Sequence, residues 1–354
     1  MCDIVIPVYD QIDYTKACLE SIFAHTRCAF RLIIVDNGSK ELETGLYLNA
    51  LLAREPERVK VLRIDNNQGY VKAANLGLEN TTAEYVVIMN NDTLVYPGWL
   101  SEMIAIAQQD ASIGIVNPQW DPSLCKFKGG RDKYFQQCVV PQKGVYIETD
   151  WARGFCYLTK RCVIDKIGGL DLVFSPGYFD DWDYSMRAMA AGYRCVVALG
   201  SFVFHFKNVT YSVCGEKGLI STLLNEKAPI FYKRWGRSLK LLIVNNGVFD
   251  DIEISIRDIL RDQNRVVLIS SHPVDMRHTN LIVIRVKRWL IGVMVVFVLV
   301  DNVRHSVAKR FNLVLVREGM SLFFRKVLRY LFNYRVEYFK DNFMLCQMIK
   351  SLKF

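Results

Sequence analysis

The first third of the sequence alternates short apolar segments with stretches of helical apolar spacing, and a polar cluster follows each apolar segment. The apolar segments are Asp3–Tyr9, Arg31–Val35, Val59–Ile64 and Glu84–Met89, and the helical stretches are Asp13–Thr26, Glu41–Arg54 and Tyr70–Leu78. Strands that alternate with helices through short loops predict a parallel sheet covered by helices on both faces. Because ligands bind beyond the carboxyl ends of the strands in such sheets, we expect the four polar clusters to converge on one cleft.

The middle of the chain has a less regular pattern. Asp121–Lys143 is rich in Gly, Lys, Gln and Asp, which predicts an irregular loop or a hairpin. The predicted strands that follow are Tyr146–Trp151, Phe155–Thr159 and Cys195–Phe206, the last as one long strand or a pair, and the predicted helices are Arg161–Ile167, Asp180–Ala191 and Glu216–Trp235. We therefore expect residues 1–236 to form one α/β domain.

Residues 237–354 are expected to form a smaller accessory region, either α/β or helical. The strand candidates are Leu239–Val244, Arg265–Ser270, Leu281–Val286 and Asn312–Val316, with a helix at Asp251–Arg261. The apolar run Trp289–Val300 favours a buried strand or a helix in a core, because its 12 residues fall short of the ~20 that a membrane-spanning helix needs. Ser321–Phe354 mixes basic with aromatic residues and predicts an amphipathic helical segment.

Charge and cysteine usage indicate where such a chain works. Gly236–Phe354 holds 20 Lys and Arg against 10 Asp and Glu, whereas Met1–Trp235 holds 25 against 26. The basic excess in the last third favours a polyanion or an anionic membrane surface as a partner, and the apolar spacing of the tail favours the membrane over nucleic acid. The ten cysteines form no C-x-x-C pair, which suits a reducing compartment. No signal peptide precedes the first strand, so we expect a cytoplasmic protein in peripheral contact with a membrane.

Three carboxylates, Asp180, Asp181 and Asp183, lie within four residues at the predicted start of a helix. The helix dipole stabilises a carboxylate there by ~0.3–1 kcal/mol, but capping needs only one of them. Since the others repel one another, their presence favours a general base or a metal site. A carboxylate pair is suited to taking the proton from a hydroxyl group.

Two further clusters have both a structural and a functional interpretation. Asp36-Asn37-Gly38-Ser39 is typical of a turn that caps a helix, or it holds the imide or hydroxyl groups of a nucleoside. Asn67–Asn75 is typical of a helix cap with a solvated Lys72, or Lys72 faces a phosphate while Gly69 allows a close backbone approach.

The cluster Asn90-Asn91-Asp92 is either a turn before Pro97 or part of a cation site. A carboxylate at the end of a strand is a good ligand for Mg²⁺ or Mn²⁺, and a diphosphate can fill the remaining positions. His205 lies in an aromatic strand, where a histidine is more often a core residue. It becomes a functional candidate only as a second metal ligand beside Asp92.

Taken in order, these features resemble the family 2 glycosyltransferases, which adopt the glycosyltransferase A fold. The resemblance runs from Asp3 to Trp235 and rests on Ile6-Pro7-Val8-Tyr9, Val35-Asp36-Asn37-Gly38-Ser39, the pattern Asn67/Gly69/Ala73/Asn75, Met89-Asn90-Asn91-Asp92-Thr93, Pro97-Gly98-Trp99-Leu100, Gly168-Gly169-Leu170-Asp171, Phe179-Asp180-Asp181-Trp182-Asp183-Tyr184, Ala191-Gly192-Tyr193, His205 and Phe231-Tyr232-Lys233-Arg234-Trp235-Gly236. It is strongest toward rhamnosyl- and galactofuranosyl-transferases. The implied fold is a Rossmann-like mixed sheet flanked by helices.

The resemblance implies an inverting transfer of a hexose from a nucleotide-diphosphate sugar, of UDP or dTDP type, to a glycan or glycolipid in polysaccharide biosynthesis. Asp181 would be the catalytic base, with Asp180 beside it. The implied donor-binding residues are Pro7, Val8, Tyr9, Asp36, Asn67, Lys72, Asn90, Asn91 and Asp92, and the implied acceptor-binding residues are Trp151, Arg153, Gly154 and Trp182. Asp92 and His205 would hold Mn²⁺ or Mg²⁺. Asn90 departs from the family, which has an aspartate at that position.

Two other functions share parts of this pattern. A nucleotidyltransferase that makes sugar nucleotides would carry a glycine-rich basic loop after the first strand, and Pro7-Val8-Tyr9-Asp10-Gln11 has neither glycine nor basic residue. A non-catalytic sugar-nucleotide- or glycan-binding module on a decayed transferase fold would explain Asn90, whereas the presence of both Asp181 and His205 favours an enzyme.

Overall fold

The structure, a computed structural model, describes residues 1–120, 127, 129–206, 218–245, 252–261, 263–287, 290–303, 311–317, 336–339 and 342–350. The chain divides into two units, Met1–Phe231 and Tyr232–Phe354.

The first unit is built on a nine-stranded mixed sheet. Its strands are β1 (Cys2–Val8), β2 (Phe30–Asp36), β3 (Val59–Arg63), β4 (Tyr85–Met89), β5 (Thr93–Val95), β6 (Ile113–Gln119), β7 (Tyr146–Thr149), β8 (Cys156–Lys160) and β9 (Arg194–His205). Its helices are α1 (Ile12–His25), α2 (Leu42–Arg54), α3 (Tyr70–Glu79), α4 (Trp99–Gln109), α5 (Arg131–Tyr134), α6 (Arg161–Ile167), α7 (Asp180–Ala190) and residues 219–231 of α8 (Leu219–Trp235). The prediction of a mixed α/β sheet flanked by helices is confirmed.

The strand order places the predicted polar clusters at one edge of the sheet. The order is β3-β2-β1-β4-β8-β6-β9-β5, and β7 pairs with β9. Strands β1 to β4 run parallel, and the register sets Val8 beside Asp36, and Asp36 beside Arg63. Their carboxyl ends therefore lie next to one another. Strand β1 is buried along its whole length, which explains its largely apolar sequence, and its one charged residue, Asp3, forms an ion pair with Arg31 at 3.0 Å.

Strand β8 makes the sheet mixed, since it lies antiparallel between β4 and β6. Strand β9 is one continuous strand, which resolves the choice between one strand and a pair. It runs parallel to β6 and then antiparallel to the short strand β5, whose Thr93 pairs with His205. This pairing brings the end of β9 to the residues that follow β4.

The prediction of an irregular loop or hairpin at Asp121–Lys143 is wrong for residues 131–142. These residues form α5 followed by a π-helical turn, Phe135–Val139, and a 3₁₀ turn, Val140–Gln142. Their few apolar side chains, which include Tyr134 and Phe135, are buried against Phe202 of β9. These few buried side chains stabilise helical turns in a segment whose polar composition predicted a loop. Residues 121–126 and 128 lie outside the described residues.

The second unit is a five-stranded sheet in which every strand is parallel to its neighbours. The strand order is β12-β11-β10-β13-β14, with β10 (Lys240–Asn245), β11 (Arg265–Ser270), β12 (Leu281–Arg285), β13 (Leu313–Arg317) and β14 (Val336–Phe339), and the helices are α9 (Ile252–Arg261), α10 (Ile291–Val303) and α11 (Asn342–Lys350). Helices α9 and α11 share one apolar cluster with the sheet, and α10 shares the other. The unit is therefore α/β, and the apolar run Trp289–Val300 belongs largely to a helix.

The prediction of a helical tail is wrong at residues 336–339, which form a strand of this parallel sheet. Phe339 is fully buried there, so an aromatic residue of the tail belongs to a core. Residues 342–350 are helical as predicted, and residues 321–335 lie outside the described residues. Within the described part of the chain, no helix has the length and hydropathy to cross a membrane.

Glycine at position 77 allows α3 to lie close against the sheet. A Cβ atom there would collide with the side chain of Val5 in β1. We expect Gly77→Ala to lower the free energy of unfolding by about 1–3 kcal/mol, because the core must shift to admit the methyl group. The midpoint of urea denaturation measures this change.

Gly45→Ala in α2 is the matched control, since its Cβ would meet only the flexible end of Arg63 at 3.3 Å. We expect that variant to be as stable as the parent or more stable, because alanine favours a helix. Equal midpoints for the two variants would contradict close packing of α3 on β1.

Candidate functional site

Asp36 forms a fixed corner at the carboxyl end of β2. The residue is 1% exposed, and its Oδ2 accepts a hydrogen bond from Arg63 Nη1 at 2.6 Å. Its Oδ1 accepts from the backbone N–H of Ser39 at 2.9 Å. Gly38 has φ +77°, and a Cβ there would lie 2.7 Å from backbone carbon of Asn66, so the turn requires glycine. Pro7 and Val8 are buried in the adjacent strand, and Tyr9 is half-buried after them.

The second predicted cluster meets the first through paired amides. Asn37 Nδ2 donates to Asn67 Oδ1 at 3.0 Å, while Asn37 Oδ1 accepts from the backbone N–H of Gln68 at 2.9 Å. Asn67 is therefore held beside the turn that contains Asp36. Lys72 lies apart from this group, because it is exposed on α3 and its Nζ donates to Gln68 Oε1 at 3.3 Å.

Sequence reasoning missed Arg63 as a site residue. It ends β3, and its guanidinium group also donates to the carbonyl of Ser39 at 3.3 Å. The only signal in the sequence was a basic residue at the end of a strand that was predicted to border the cleft. Its partner became apparent only from the register of β2 and β3.

Asp92 and His205 face one another where β4 and β9 end. Asp92 is 6% exposed, and its Oδ1 lies 3.1 Å from His205 Nε2. That oxygen is buried and accepts no hydrogen bond from the described residues. Phe155 stacks on the imidazole ring with 4.9 Å between ring centroids, which holds the histidine in place.

This corner suits a divalent cation with two protein ligands. Two atoms that bind one Mg²⁺ at about 2.1 Å and at right angles lie about 3 Å apart, close to the observed separation. No cluster of three or more His, Cys, Asp or Glu side chains suited to a metal occurs in the described ranges, so the substrate would supply other ligands. Asn90 Nδ2 lies 3.5 Å from His205 Nε2. Asn91 is turned away, because its Nδ2 donates to Thr15 Oγ1 of α1 at 2.8 Å.

The carboxylate of Asp181 is oriented by three N–H groups. Its Oδ2 accepts from the backbone of Gly154 at 2.7 Å and from Trp151 Nε1 at 3.0 Å. Its Oδ1 accepts from the backbone of Trp182 at 2.8 Å. A Cβ at position 154 would lie 3.0 Å from Asp181 Oδ2, so glycine allows this close approach.

The three carboxylates at the start of α7 have different environments. Burial, together with the negative charge of Asp181, raises the pKa of Asp180 to about 8. Burial also raises the pKa of Asp181, although the N–H groups of Gly154, Trp151 and Trp182 oppose that rise. Asp183 has a structural role, since it forms an ion pair with Arg187 at 2.8 Å. Asp180 is thus the carboxyl group of this cluster whose pKa burial brings near neutral pH.

Aromatic rings and one cation surround Asp181. Trp151 stacks on Trp182 with 5.2 Å between centroids, and Trp182 stacks on Phe179 at 5.9 Å. The guanidinium carbon of Arg153 lies 3.8 Å from the ring centroid of Trp120 and 4.6 Å from that of Trp151. The four residues predicted to bind the acceptor therefore gather around the predicted base.

The chain matches known proteins over part of its length. Residues 3–163 match the model of glycosyl transferase family 2. Uncharacterized protein y4gI of Sinorhizobium fredii is 26% identical over 240 residues, which are 59% of this chain and 25% of that protein. Glycosyltransferase GlyG of Streptococcus pneumoniae is 28% identical over 118 residues, which are 33% and 38% of the two chains. An uncharacterized glycosyltransferase of Haemophilus influenzae is 24% identical over 173 residues, 49% and 52% of the two.

These matches span between a quarter and about half of each relative's own length. Among solved structures, the mannosyltransferase PcManGT from Pyrobaculum calidifontis, in complex with GDP-Man and Mn²⁺, is similar with a TM-score of 0.50 and 18% identity. The likeness covers 67% of this chain and 65% of that one, and it is a likeness of fold.

The raised pKa of Asp180 predicts how stability depends on pH. The unfolded chain ionises this group near pH 3.8, whereas the folded protein keeps it protonated up to about pH 8. Folding therefore takes up a proton between these values, and the free energy of unfolding falls as pH rises through that window. Asp180→Asn removes the group whose ionisation destabilises the folded protein at high pH. We expect its melting temperature to exceed that of the parent by a margin that grows from pH 5 to pH 9.

Differential scanning calorimetry across this pH range measures the margin. Asp165→Asn, on the exposed side of α6, controls for the loss of one negative charge and should show a margin that is small at every pH. A margin for Asp180→Asn that does not change with pH would contradict a protonated Asp180 in the folded protein.

Proposed function

We propose that the chain is an inverting glycosyltransferase, on the premise that residues 3–163 match the model of glycosyl transferase family 2. It would move a hexose, of rhamnose or galactofuranose type, from a nucleotide-diphosphate sugar to a hydroxyl group of a glycan or glycolipid. The observation that carries the proposal is the carboxylate of Asp181, which three N–H donors hold in one orientation among aromatic rings.

Asp181 is the proposed general base. An attacking hydroxyl group must lose its proton as the new bond forms, and a base works best when its pKa is close to the ambient pH. Burial moves the pKa of Asp181 in that direction. The hydrogen bonds to Trp151 and Gly154 occupy one oxygen, so the other oxygen, which accepts only from Trp182 among the residues that the structure describes, is the one suited to the hydroxyl proton. Direct displacement inverts the anomeric configuration and needs no protein nucleophile.

Asp92 and His205 are the proposed ligands of a divalent cation, which when bound would stabilise negative charge on the departing diphosphate as a Lewis acid. Their contribution is to hold a carboxylate oxygen and an imidazole nitrogen side by side at the end of β4 and β9. Stacking on Phe155 fixes the imidazole, and the hydrogen bond from Phe206 N to Asp92 O ties the two strand ends together at 3.0 Å. The similar mannosyltransferase contains Mn²⁺, which makes Mn²⁺ the first ion to test.

The corner around Asp36 is the proposed site of the nucleoside. Asp36 and Arg63 offer an acceptor and a donor side by side, and Asn37 and Asn67 add amide groups next to them. We propose a UDP or dTDP donor for this corner. The similar mannosyltransferase is bound to GDP-Man, so guanosine donors belong in the same screen.

Two proposals concern the surroundings of the enzyme. The basic excess of the last third, 20 Lys and Arg against 10 Asp and Glu from Gly236 onward, supports contact with an anionic membrane surface. A glycolipid acceptor would be reached at the same surface. A non-catalytic binding module would still use the Asp36 corner but would not need an oriented Asp181. Measured sugar transfer therefore distinguishes a glycosyltransferase from a binding module.

Asp181→Asn tests the base. We expect transfer to fall by about 10²–10⁴-fold, since an amide cannot take the proton, while the affinity for the donor stays within a few-fold. Transfer is measured with radiolabelled nucleotide sugars and donor affinity by equilibrium dialysis. Asp183→Asn alters a carboxylate of the same helix that pairs with Arg187. The activity of that control, compared at equal folded fraction, should stay near the activity of the parent. Substantial turnover by Asp181→Asn would exclude Asp181 as the base.

Removal of the metal tests the cation corner. We expect a chelator to abolish transfer and added Mn²⁺ or Mg²⁺ to restore it. Asp92→Asn and His205→Ala should each raise the metal concentration needed for half-maximal activity by at least about 10-fold, since each removes one of two protein ligands. Asp13→Asn, an exposed carboxylate of α1, is the control and should leave the requirement unchanged. Full activity in excess chelator would contradict the metal assignment.

A further inference from the structure

Arg153 is held between aromatic rings beside the proposed base, and its guanidinium group donates no hydrogen bond to any residue that the structure describes. Its guanidinium carbon lies 3.8 Å from the centroid of Trp120 and 4.6 Å from that of Trp151, so two indole rings restrict the group. Its backbone N–H donates to Asn117 Oδ1 at 2.7 Å, which fixes the main chain from which it extends. An arginine side chain loses much conformational freedom in such a place, and that loss needs a compensating interaction.

The hydrogen-bonding capacity of Arg153 is unused among the described residues. A guanidinium group has five N–H donors, and no described side chain or carbonyl accepts from those of Arg153. The negative charges of Asp150 and Asp181 act on it, yet neither carboxylate forms an ion pair with it. Other arginines of the first unit, Arg31 and Arg187, are satisfied by carboxylates at 3.0 and 2.8 Å.

The position of Arg153 relates it to the acceptor. The metal corner at Asp92 is where the donor diphosphate would bind, and the nucleoside would bind at Asp36. Arg153 instead stacks on the indole whose Nε1 donates to Asp181, so its neighbour in the site is the base that receives the acceptor proton. A group that contacts both Asp181 and Arg153 belongs to the acceptor.

We infer that Arg153 binds an anionic group of the acceptor, a carboxylate or a phosphate, and so selects a negatively charged glycan or glycolipid. The inference rests on the proposed function, because it assigns the partner of the same site. A planar guanidinium group matches the two oxygens of a carboxylate or phosphate, and its donors are already oriented by the rings. Trp120 and Trp151 stabilise the cation through their faces. Half-burial of the site strengthens a charge-assisted hydrogen bond relative to one in water.

Tryptophan fluorescence provides a test that needs neither metal nor turnover. Two of the six tryptophans contact Arg153 directly, so a ligand there should change the emission. The full chain is titrated in chelator with D-glucuronate, inorganic phosphate and D-glucose. We expect the two anions to bind at least about 10-fold more tightly than glucose, as a charge-assisted pair implies. Tighter binding of glucuronate identifies a carboxylate acceptor, and tighter binding of phosphate a phosphorylated one.

Variants assign the effect to Arg153. Arg153→Gln should weaken binding of the preferred anion by at least about 10-fold and leave binding of glucose unchanged. Arg153→Lys keeps the charge and should lose less than the glutamine variant, which separates charge from misfolding. Arg131→Gln is the matched control, because that guanidinium also lies over an aromatic ring, 4.5 Å from the centroid of Phe204. It should bind the anions like the parent.

The outcomes separate this inference from the proposed function. Equal anion binding by Arg153→Gln and the parent, or equal binding of glucose and the anions by the parent, would overturn the role of Arg153. Binding of a nucleotide sugar with Mn²⁺ is measured in parallel by equilibrium dialysis on the parent and on Asp92→Asn. Loss of donor binding in Asp92→Asn would support the proposed function even if Arg153 bound no anion. A parent protein that binds no donor would contradict the proposed function.

Discussion

The hydrogen bond from Gly154 N to Asp181 connects the two halves of the candidate site. Residues 151–155 precede β8, and most of the polar atoms of their main chain form hydrogen bonds. The N–H groups of Ala152, Arg153 and Gly154 donate to Ser185 Oγ, Asn117 Oδ1 and Asp181 Oδ2, and the carbonyl groups of Gly154 and Phe155 accept from Tyr70 Oη and Asn90 N. Such a segment has little freedom to move. The side chains of Trp151, Arg153 and Phe155 are therefore held against Asp181, Trp120 and His205 in a fixed arrangement.

This arrangement gives a reason for two buried carboxyl groups at the start of α7, Asp180 and Asp181, whose ionisation in the folded protein is unfavourable. Burial raises the pKa of both Asp180 and Asp181, so ionising the pair in the folded protein is unfavourable. A purely structural helix start would need one of them. The three N–H groups that surround Asp181 favour its charged form and oppose the rise of its pKa, whereas the charge of Asp181 adds to the rise at Asp180. The geometry thus gives two adjacent carboxyl groups different environments.

The sequence predicted the elements that rest on local patterns and missed those that rest on register. Strands β1 to β4 were located to within one or two residues, because buried parallel strands are apolar runs with polar ends. Helix α6, Arg161–Ile167, was predicted at both ends, where Gly168 stops it. The contact of Arg63 with Asp36 could not be predicted from the sequence, since it depends on which strand lies beside β2. The helical turns at 131–142 and the strand Val336–Phe339 were missed because distant residues stabilise them.

The same contrast applies within the candidate site. Asp181 stands out in the sequence by the density of carboxylates around it, and the resemblance to family 2 glycosyltransferases predicts a role for it. Lys72 had equally suitable chemistry, yet it is exposed and bonded to Gln68, and Asn91 is bonded to Thr15 of α1. Sequence patterns name the residue types that a reaction needs. Only the direction of each side chain, set by neighbours far along the chain, decides which of them meet.

The substitution at Asn90 changes the balance of charge at the cation corner. With Asp92 as the one carboxylate that the described residues place there, the corner would leave a bound divalent cation with excess positive charge. A second carboxylate at position 90 would cancel that excess before any substrate arrived. On the proposed function, with an amide there, the diphosphate of the donor would be the group that neutralises the cation, so metal and donor would favour each other's binding. The cleft would then bind anions at two places, the leaving group at the cation corner and the acceptor at Arg153, which stacks on the indole that donates to Asp181.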